Sequence, residues 1–258
     1  MNRISDKAIV SPQARLGENV SVGHFSIIDD DVEIGSDVEI HTNVRIHSGL
    51  RLSKGCKVYH SAVLSSDPHD LKFGGEYSTL EIGENTVIRE FSTISRGTKA
   101  SGRTLIGKEC FIMAYVHIPH DSVIGDKVIL SNAVNMGGHV RVDDWAIIGG
   151  LVGIHQFVRI GAHSFVAFSA RVTQDVPPYI LAGGTPLNYK GLNLVGLKRR
   201  GFTEEQIKYI KQTYNFIYGS KYNISDALKA VRDSVPMTEE VKIIVEFVES
   251  SERGIIRK

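Results

Sequence analysis

A histidine followed directly by an aspartate stands near the middle of the chain, at His120 and Asp121. An imidazole titrates near neutral pH, so His120 could take a proton from a hydroxyl group and later return it to a leaving group. Asp121 could orient the ring and stabilise its cationic form. Neighbouring residues on a strand point apart, so this pairing requires a corner of the chain. Further histidines follow and precede the pair: His117, His139 and His155.

A glycine, Gly138, could supply the other half of such a site. Its backbone N–H is not shielded by a side chain and could donate to an oxyanion. A base, an orienting acid and an oxyanion donor together suffice for acyl transfer without a covalent enzyme intermediate. The sequence predicts that chemistry if the fold brings His120, Asp121 and Gly138 together.

A ladder of apolar residues with a period of six predicts that fold. From Ile106 to Val172 the spacing never slips, and the same register extends back to Val10 with two interruptions. Neither the helical period nor the strand period sustains this pattern, whereas a hexapeptide repeat is typical of a parallel β-helix. Glycine often follows the ladder residue, which suits either a corner with unusual backbone angles or the close approach of a neighbouring coil.

The repeat also predicts which residues share a face. Three hexapeptides close one triangular coil of about 18 residues, and coils stack at about 4.8 Å. His120, Gly138 and Gln156 should therefore occupy one column on successive coils. A solenoid face that gathers several histidines is difficult to explain by packing alone.

Two polar segments interrupt the ladder and must leave the core. The first, residues 67–76, carries Asp70 and Lys72 on one short loop, which favours binding of a polar ligand. The second, residues 95–104, is polar, basic and contains glycine. It is equally compatible with a flexible excursion and with a functional one.

The ladder ends after Val172, and the residues beyond it have a different periodicity. Two prolines within residues 175–179 mark the edge. Thr203 begins a sequence that resembles a capping box, and Ser225 and Thr238 could cap two further helices. We predict a mainly β protein, with a β-helix domain over residues 1–190 and an α-helical domain over residues 191–258.

Composition excludes several classes of protein. A net charge of +1 gives no general attraction to nucleic acid or to an anionic membrane. No signal peptide opens the chain and no apolar run reaches membrane-spanning length, which predicts a cytoplasmic protein without stable membrane insertion. Cys56 and Cys110 lie in the small inward column, where packing is a better explanation than a disulfide or a metal site.

Five segments together resemble one known family over nearly the whole chain. They closely resemble the UDP-N-acetylglucosamine acyltransferases that open lipid A biosynthesis, and they are residues 113–123, 138–144 (GHVRVDD), 153–157 (GIHQF), 174–179 (QDVPPY) and 196–202 (GLKRRGF). The resemblance implies a left-handed parallel β-helix, a cytoplasmic homotrimer with active sites between subunits, and no metal. It also implies transfer of a 3-hydroxyacyl group to the sugar 3-hydroxyl. The donor is acyl carrier protein with a phosphopantetheine-linked acyl chain, and no other cofactor is needed.

The resemblance also implies roles for individual residues. His120 is the general base, Asp121 is its partner, and the Gly138 amide supports the acyl carbonyl. Positions that match the lining of the sugar, phosphate and acyl sites are Asp70, Lys72, His117, His139, His155 and Gln156. Positions that match those used for the nucleotide or the carrier protein are Asn193, Arg199 and Arg200.

Two departures from the commonest family pattern concern specificity. Val195 replaces an acidic residue that some members use near the nucleotide base. Phe168 occupies a position that is often small, and its ring would fill part of the acyl groove, so it predicts a shorter preferred acyl chain. An aromatic residue that only covers the solenoid is an equally good explanation.

A cluster of basic residues lies at the start of the predicted helical domain. It could steer the acidic carrier protein or simply be the solvent-exposed face of a helix, and it consists of Lys198, Arg199, Arg200, Lys208 and Lys211.

Three other functions remain open from the residues alone. A related acyltransferase could form an amide on a 3-amino or 2-amino sugar, because the same proton transfers serve an amine. A γ-class carbonic anhydrase shares the solenoid and binds zinc through three histidines. A solenoid that only binds a carrier protein would need no catalytic group at all.

Overall fold

The computed structural model describes residues 1–219 and 222–258. Short strands follow the hexapeptides, and most end on a ladder residue whose side chain is buried. The first fourteen strands are β1 (Arg3–Ile4), β2 (Ile9–Val10), β3 (Arg15–Leu16), β4 (Ser21–Val22), β5 (Ile27–Ile28), β6 (Val32–Ile34), β7 (Glu39–Ile40), β8 (Arg45–Ile46), β9 (Leu50–Leu52), β10 (Lys57–Val58), β11 (Val63–Ser66), β12 (Thr79–Ile82), β13 (Val87–Ile88) and β14 (Thr93–Ser95). The next fourteen are β15 (Arg103–Ile106), β16 (Phe111–Ile112), β17 (His117–Ile118), β18 (Val123–Ile124), β19 (Ile129–Leu130), β20 (Asn135–Met136), β21 (Arg141–Val142), β22 (Ile147–Ile148), β23 (Gly153–Ile154), β24 (Arg159–Ile160), β25 (Phe165–Val166), β26 (Arg171–Val172), β27 (Ile180–Gly183) and β28 (Asn188–Leu192).

Three sheets form the sides of a prism, and successive strands of the chain belong to successive sheets. Sheet A runs β1-β4-β7-β10-β13-β16-β19-β22-β25-β27-β28, sheet B runs β2-β5-β8-β11-β14-β17-β20-β23-β26, and sheet C runs β3-β6-β9-β12-β15-β18-β21-β24. Strands within a sheet pair in parallel with partners 18 residues apart in the uninterrupted coils, as Phe111 does with Ile129. The ladder side chains fill one continuous core.

The corners between sheets have a regular backbone. The third residue after a ladder residue has a positive φ, as at Tyr115, Asp121 and His139. The glycines directly after ladder residues do not, but a Cβ on Gly23 would lie 2.7 Å from the carbonyl carbon of His41 on the next coil. Close approach of the neighbouring coil is therefore the reason for these glycines, and the alternative of unusual backbone angles is wrong for them.

The solenoid extends slightly beyond the ladder. The six-residue spacing stops after Val172, but Val176 still bridges to Ile160 and β27 still pairs in parallel with β25. The chain then reverses, because β28 pairs with β27 in the antiparallel direction. The predicted domain boundary between residues 190 and 191 falls within β28 and stays a prediction.

Four helices follow: α1 (Leu194–Arg199), α2 (Glu204–Ile217), α3 (Ile224–Ser234) and α4 (Glu239–Glu249). The capping box at Thr203 is confirmed. The predicted Ser225 cap is wrong, because Asn223 caps α3 through its side chain. Thr238 occupies the N-cap position of α4, as predicted, but its side chain makes no capping hydrogen bond.

The tail after α4 returns to the end of the solenoid at Asp175. The buried Asp175 carboxylate accepts hydrogen bonds from the Arg159 backbone N–H at 2.8 Å and the Ser251 hydroxyl at 2.7 Å.

Cys56 and Cys110 are buried, unpaired thiols in the core. No helix within residues 1–219 and 222–258 is long and apolar enough to cross a membrane.

Candidate active site

His120 and Asp121 lie at the corner between sheets B and C, directly after β17 and before β18. Asp121 has a φ of 59°, so its side chain turns back toward that of His120. The Nδ1 atom of His120 lies 2.7 Å from the Oδ2 atom of Asp121. The corner geometry that the pairing required is present.

The Asp121 carboxylate is buried and is held by the second excursion, the segment of residues 95–104 that interrupts the ladder. Thr98 donates to it twice, from its backbone N–H at 3.0 Å and from its hydroxyl at 2.8 Å, and the Ser101 hydroxyl donates as well. Burial alone would raise the pKa of Asp121, but the hydrogen bonds from Ser101, His120 and Thr98 outweigh it and hold the pKa below its usual value. An ionised carboxylate only accepts, so the proton on the His120 ring belongs at Nδ1, which leaves Nε2 free to act as a base.

Gly138 lies above His120 on the next coil, as the column predicted. A Cβ at Gly138 would lie 2.6 Å from the Cε1 atom of His120 and 2.8 Å from its Nε2 atom. Within the described residues, the Gly138 N–H donates to no protein acceptor. The base nitrogen of His120 therefore lies close to Gly138, and the Gly138 N–H has no protein partner among the described residues.

Two more histidines line this corner. The Nε2 atom of His139 lies 3.6 Å from the Asp121 carboxylate, and its ring packs edge-on against that of His120. His117 contacts the hydroxyl of Thr93 at 2.7 Å and stacks on His69. Burial lowers the pKa of His117, and the neighbouring His69 and His120 lower it further, which favours the neutral form of its ring.

The first excursion, the segment of residues 67–76 that interrupts the ladder, reaches this corner through His69. Its ring centroid lies 5.4 Å from that of His117. The Asp70 side chain accepts the backbone N–H of Lys72 at 3.0 Å, which closes a turn and leaves the Lys72 side chain exposed. This places the loop that carries Asp70 and Lys72 beside the histidine face.

His155 and Gln156 continue the face on the third coil. The Phe157 N–H donates to the Gly138 carbonyl at 3.1 Å, so this corner stacks directly on that of Gly138. His155 and Gln156 are exposed, and the His155 Nδ1 atom lies 3.2 Å from the Gln156 carbonyl oxygen. Phe168 is 67% exposed at the corner between sheets A and B, and its ring lies beside Gly150 on the coil below.

Asn193, Arg199 and Arg200 lie at a different corner of the same chain. They line a cleft of about 370 Å³ that also contains Ile147 and Phe165 of sheet A. The Asn193 amide caps α1 at Gly196 and donates to the His163 carbonyl at 2.9 Å. The Arg200 guanidinium lies 3.3 Å from the Nδ1 atom of His163 and stacks over Trp145. The chain thus places the His120 group, the Asn193 and Arg200 group, and Phe168 at three different corners of the prism.

A zinc ion is a poor match for the cluster formed by His120, Asp121 and His139. Their ligand atoms lie within 4.8 Å of one another. However, tetrahedral zinc at 2.0–2.2 Å from nitrogen and oxygen separates its ligand atoms by about 3.3 Å. The 2.7 Å between His120 and Asp121 is instead a hydrogen-bond distance.

Comparison with known proteins gives the family. The profile described as Udp N-acetylglucosamine O-acyltransferase, domain 2, matches residues 175–256, and the bacterial transferase hexapeptide profile matches residues 13–48 and 103–138. A relative from Thiobacillus denitrificans, named acyl-[acyl-carrier-protein]–UDP-N-acetylglucosamine O-acyltransferase, is 45% identical over 100% of both chains. The chain belongs to this acyltransferase family.

Solved structures of this acyltransferase family agree with the architecture. UDP-N-acetylglucosamine acyltransferase from Bacteroides fragilis is 44% identical, with a TM-score of 0.96 over 98% of this chain and 99% of that one. The enzyme from Francisella novicida is 36% identical, with a TM-score of 0.96 over 99% of this chain and 94% of that one. The predicted left-handed parallel β-helix with a C-terminal helical region is confirmed.

Thr98 and Ser101 were not among the residues predicted from the sequence, because residues 95–104 were compatible with both a flexible loop and a functional one. A signal was available, because residues 95–104 interrupt the ladder one coil before Asp121 and therefore sit beneath it. The hydroxyl groups in that segment were candidates for partners of the carboxylate.

Proposed function

We propose that this protein transfers a 3-hydroxyacyl group from acyl carrier protein to the 3-hydroxyl of UDP-N-acetylglucosamine, the first step of lipid A biosynthesis. The observation that carries the proposal is the His120–Asp121 pair beside Gly138, whose N–H has no protein partner among the described residues. The names of the relatives supply the donor and the acceptor.

The reaction follows from the roles of these three groups. The Nε2 atom of His120 removes the proton of the sugar 3-hydroxyl as its oxygen attacks the thioester carbonyl. The carbonyl oxygen becomes an oxyanion and accepts a hydrogen bond from the Gly138 N–H, while Asp121 stabilises the imidazolium. When the intermediate collapses, the C–S bond breaks and His120 returns its proton to the departing thiolate. The products are the sugar ester and the carrier thiol.

The other residues have proposed roles in binding. Asp70, Lys72, His117, His139, His155 and Gln156 would line the sugar, phosphate and acyl sites. Asn193, Arg199 and Arg200 would bind the nucleotide or the carrier protein. Because these two sets lie at different corners of one chain, we propose that a homotrimer brings one subunit's His120 corner next to another subunit's cleft. Arg199 and Arg200 of the basic cluster line that cleft, which suits an acidic carrier protein, and such a substrate suits a cytoplasmic enzyme.

A product analysis tests the proposal. The protein is mixed with 3-hydroxyacyl carrier proteins of several chain lengths, UDP-N-acetylglucosamine and its 3-amino analogue, and the products are identified by mass spectrometry. We expect an acyl ester that alkaline hydroxylamine cleaves. An amide formed only on the amino sugar would overturn the proposal that the acceptor is the 3-hydroxyl. The absence of any acylated product would overturn the proposal of acyl transfer.

A solution measurement tests the assembly. Light scattering after size exclusion should give about three times the 28.4 kDa of one chain. A monomer with full activity would overturn the shared site. Metal analysis of the active protein separates the reaction from zinc chemistry, because stoichiometric zinc whose removal abolishes acyl transfer would contradict the proposed mechanism.

A further inference from the structure

The second excursion, residues 95–104, holds the Asp121 carboxylate on both of its oxygen atoms. Oδ1 accepts the Thr98 N–H at 3.0 Å and the Ser101 hydroxyl, and Oδ2 accepts the Thr98 hydroxyl at 2.8 Å. Oδ2 also faces Nδ1 of His120 at 2.7 Å. The carboxylate therefore cannot rotate without breaking several hydrogen bonds at once.

The excursion also holds the backbone of Asp121. The Thr104 hydroxyl accepts the Asp121 N–H at 2.9 Å, at the residue with the positive φ. Contacts from both sides thus set the direction in which the Asp121 side chain leaves the corner.

The excursion is itself firmly anchored. The Ser78 hydroxyl donates to the Gly97 carbonyl at 2.5 Å, and the Gly102 N–H donates to the Thr98 carbonyl at 2.7 Å. The Lys99 N–H donates to the Glu76 carboxylate at 3.0 Å, which links this loop to the first excursion. These hydrogen bonds favour one defined conformation of the second excursion, in which the Thr98 and Ser101 hydroxyl groups contact Asp121.

We infer that Thr98 and Ser101 are positioning residues for the acyl transfer proposed above, because they hold Asp121 in the orientation that keeps the His120 proton on Nδ1. This inference rests on the proposed function. Neither residue needs to touch the substrate. Without the two hydroxyl groups the carboxylate gains a wider range of orientations, and the Nε2 atom of His120 loses its fixed role as the unprotonated base. The hydrogen bonds also help to hold the pKa of Asp121 low, so the carboxylate stays charged beside the imidazolium.

Kinetics of three variants test the inference: Thr98→Val, Ser101→Ala and the double variant. Each hydroxyl removed is a donor to a charged group, so we expect kcat to fall by about 10-fold for each single variant and about 100-fold for the double variant. The KM values for the sugar nucleotide and the acyl carrier protein should stay within about twofold. Thr98→Ser keeps the donor and should retain most of the activity.

Thr86→Val is the matched control. Thr86 is a buried threonine whose hydroxyl donates to the Gly107 carbonyl at 2.9 Å, away from the Asp121 carboxylate. This variant loses a buried hydrogen bond without touching the proposed site, so its kcat should match that of the unmodified protein. Equal losses of kcat in Thr86→Val and Thr98→Val, or a loss confined to KM, would overturn the positioning role. Ser101 is exposed, so Ser101→Ala keeps the test valid if Thr98→Val does not fold.

Nitrogen-15 NMR of labelled histidine gives a measurement that does not depend on activity. The His120 ring should show the Nδ1–H tautomer at neutral pH in the unmodified protein and a mixture of tautomers in the double variant, with His120→Gln used for assignment. An unchanged His120 spectrum in the double variant would overturn the inference even if activity falls. If the unmodified protein forms no acylated sugar, the proposed function fails, while the tautomer measurement still decides whether Thr98 and Ser101 position the pair.

Discussion

The Oδ2 atom of Asp121 lies 2.7 Å from the Nδ1 atom of His120, although the two residues are adjacent in the sequence. On an extended strand their side chains would point to opposite faces. The positive φ of Asp121, which the corner of each coil imposes, turns the carboxylate toward the ring instead. The repeat that builds the solenoid thus also brings the two members of the acid–base pair together.

Replacement of His120 should remove the general base. We expect His120→Ala to lower kcat by about 10²- to 10⁴-fold, because proton transfer from the acceptor hydroxyl then has no positioned base. Single-turnover assays with acyl carrier protein and the sugar nucleotide measure this effect. His24→Gln, an exposed position on an N-terminal coil, is the control and should retain full activity. Equal activity in both variants would exclude His120 as the base.

Two glycine substitutions should separate activity from stability. In Gly138→Ala the new Cβ would lie 2.8 Å from the Nε2 atom of His120, so we expect a large loss of kcat with a small change in thermal midpoint. In Gly23→Ala the new Cβ would clash with the backbone at His41, so we expect a loss of about 1–3 kcal/mol in the free energy of unfolding while kcat of the folded protein persists. A normal kcat for Gly138→Ala would contradict its place in the active site.

Phe168 should influence the length of the acyl chain. Its exposed ring lies against Gly150, and truncation to glycine would open that space. We expect Phe168→Gly to shift the preference toward 3-hydroxyacyl chains longer by two methylenes by about tenfold in relative kcat/KM, since two buried methylenes at about 0.8 kcal/mol each contribute about 1.6 kcal/mol. Competition among carriers of different lengths measures the shift. Phe25→Gly, an exposed phenylalanine on the same edge of the prism, is the control. An unchanged preference would leave Phe168 as a simple covering residue.

His163 should make stability depend on pH. Burial lowers the pKa of His163 to about 4, and the adjacent Arg200 contributes to the shift. The unfolded chain binds a proton near the ordinary value of 6.5. Between these values the unfolded state holds more protons, so the free energy of unfolding should fall as the pH drops from 6.5 toward 4, by up to about 3 kcal/mol.

Urea titrations of the unmodified protein and of His163→Phe measure this dependence. The phenylalanine keeps an aromatic ring between Trp145 and Tyr179 but cannot titrate. The stability difference between the two proteins should therefore change in favour of the variant as the pH falls through this window. Parallel curves for the two proteins would show that His163 does not carry the pH dependence.

Most features that could be predicted from the sequence lie where the fold is locally repetitive. The ladder predicted the strands, the interruptions and the stacking of Gly138 on His120, because each coil repeats the same local geometry. Fewer features could be predicted where the repeat stops: the continuation to β27 depends on packing at the end of the solenoid. At α3, two neighbouring polar residues could serve as the cap, and Asn223 rather than Ser225 accepts the Asp226 N–H. The hydrogen bonds from Thr98 and Ser101 were missed because a loop that leaves the core has no period to predict where its side chains point.

The sequence by itself determined the period of six, and with it the parallel β-helix, the column that holds His120 and Gly138, and the family to which the chain belongs. These features follow from which residues are apolar and how they are spaced. Only the tertiary structure decided that the Asp121 side chain turns back toward His120 and that the second excursion donates hydrogen bonds to the Asp121 carboxylate. It also decided that Asn193 and Arg200 lie at another corner. Those outcomes depend on backbone angles at corners and on contacts between segments, which spacing along the chain does not specify.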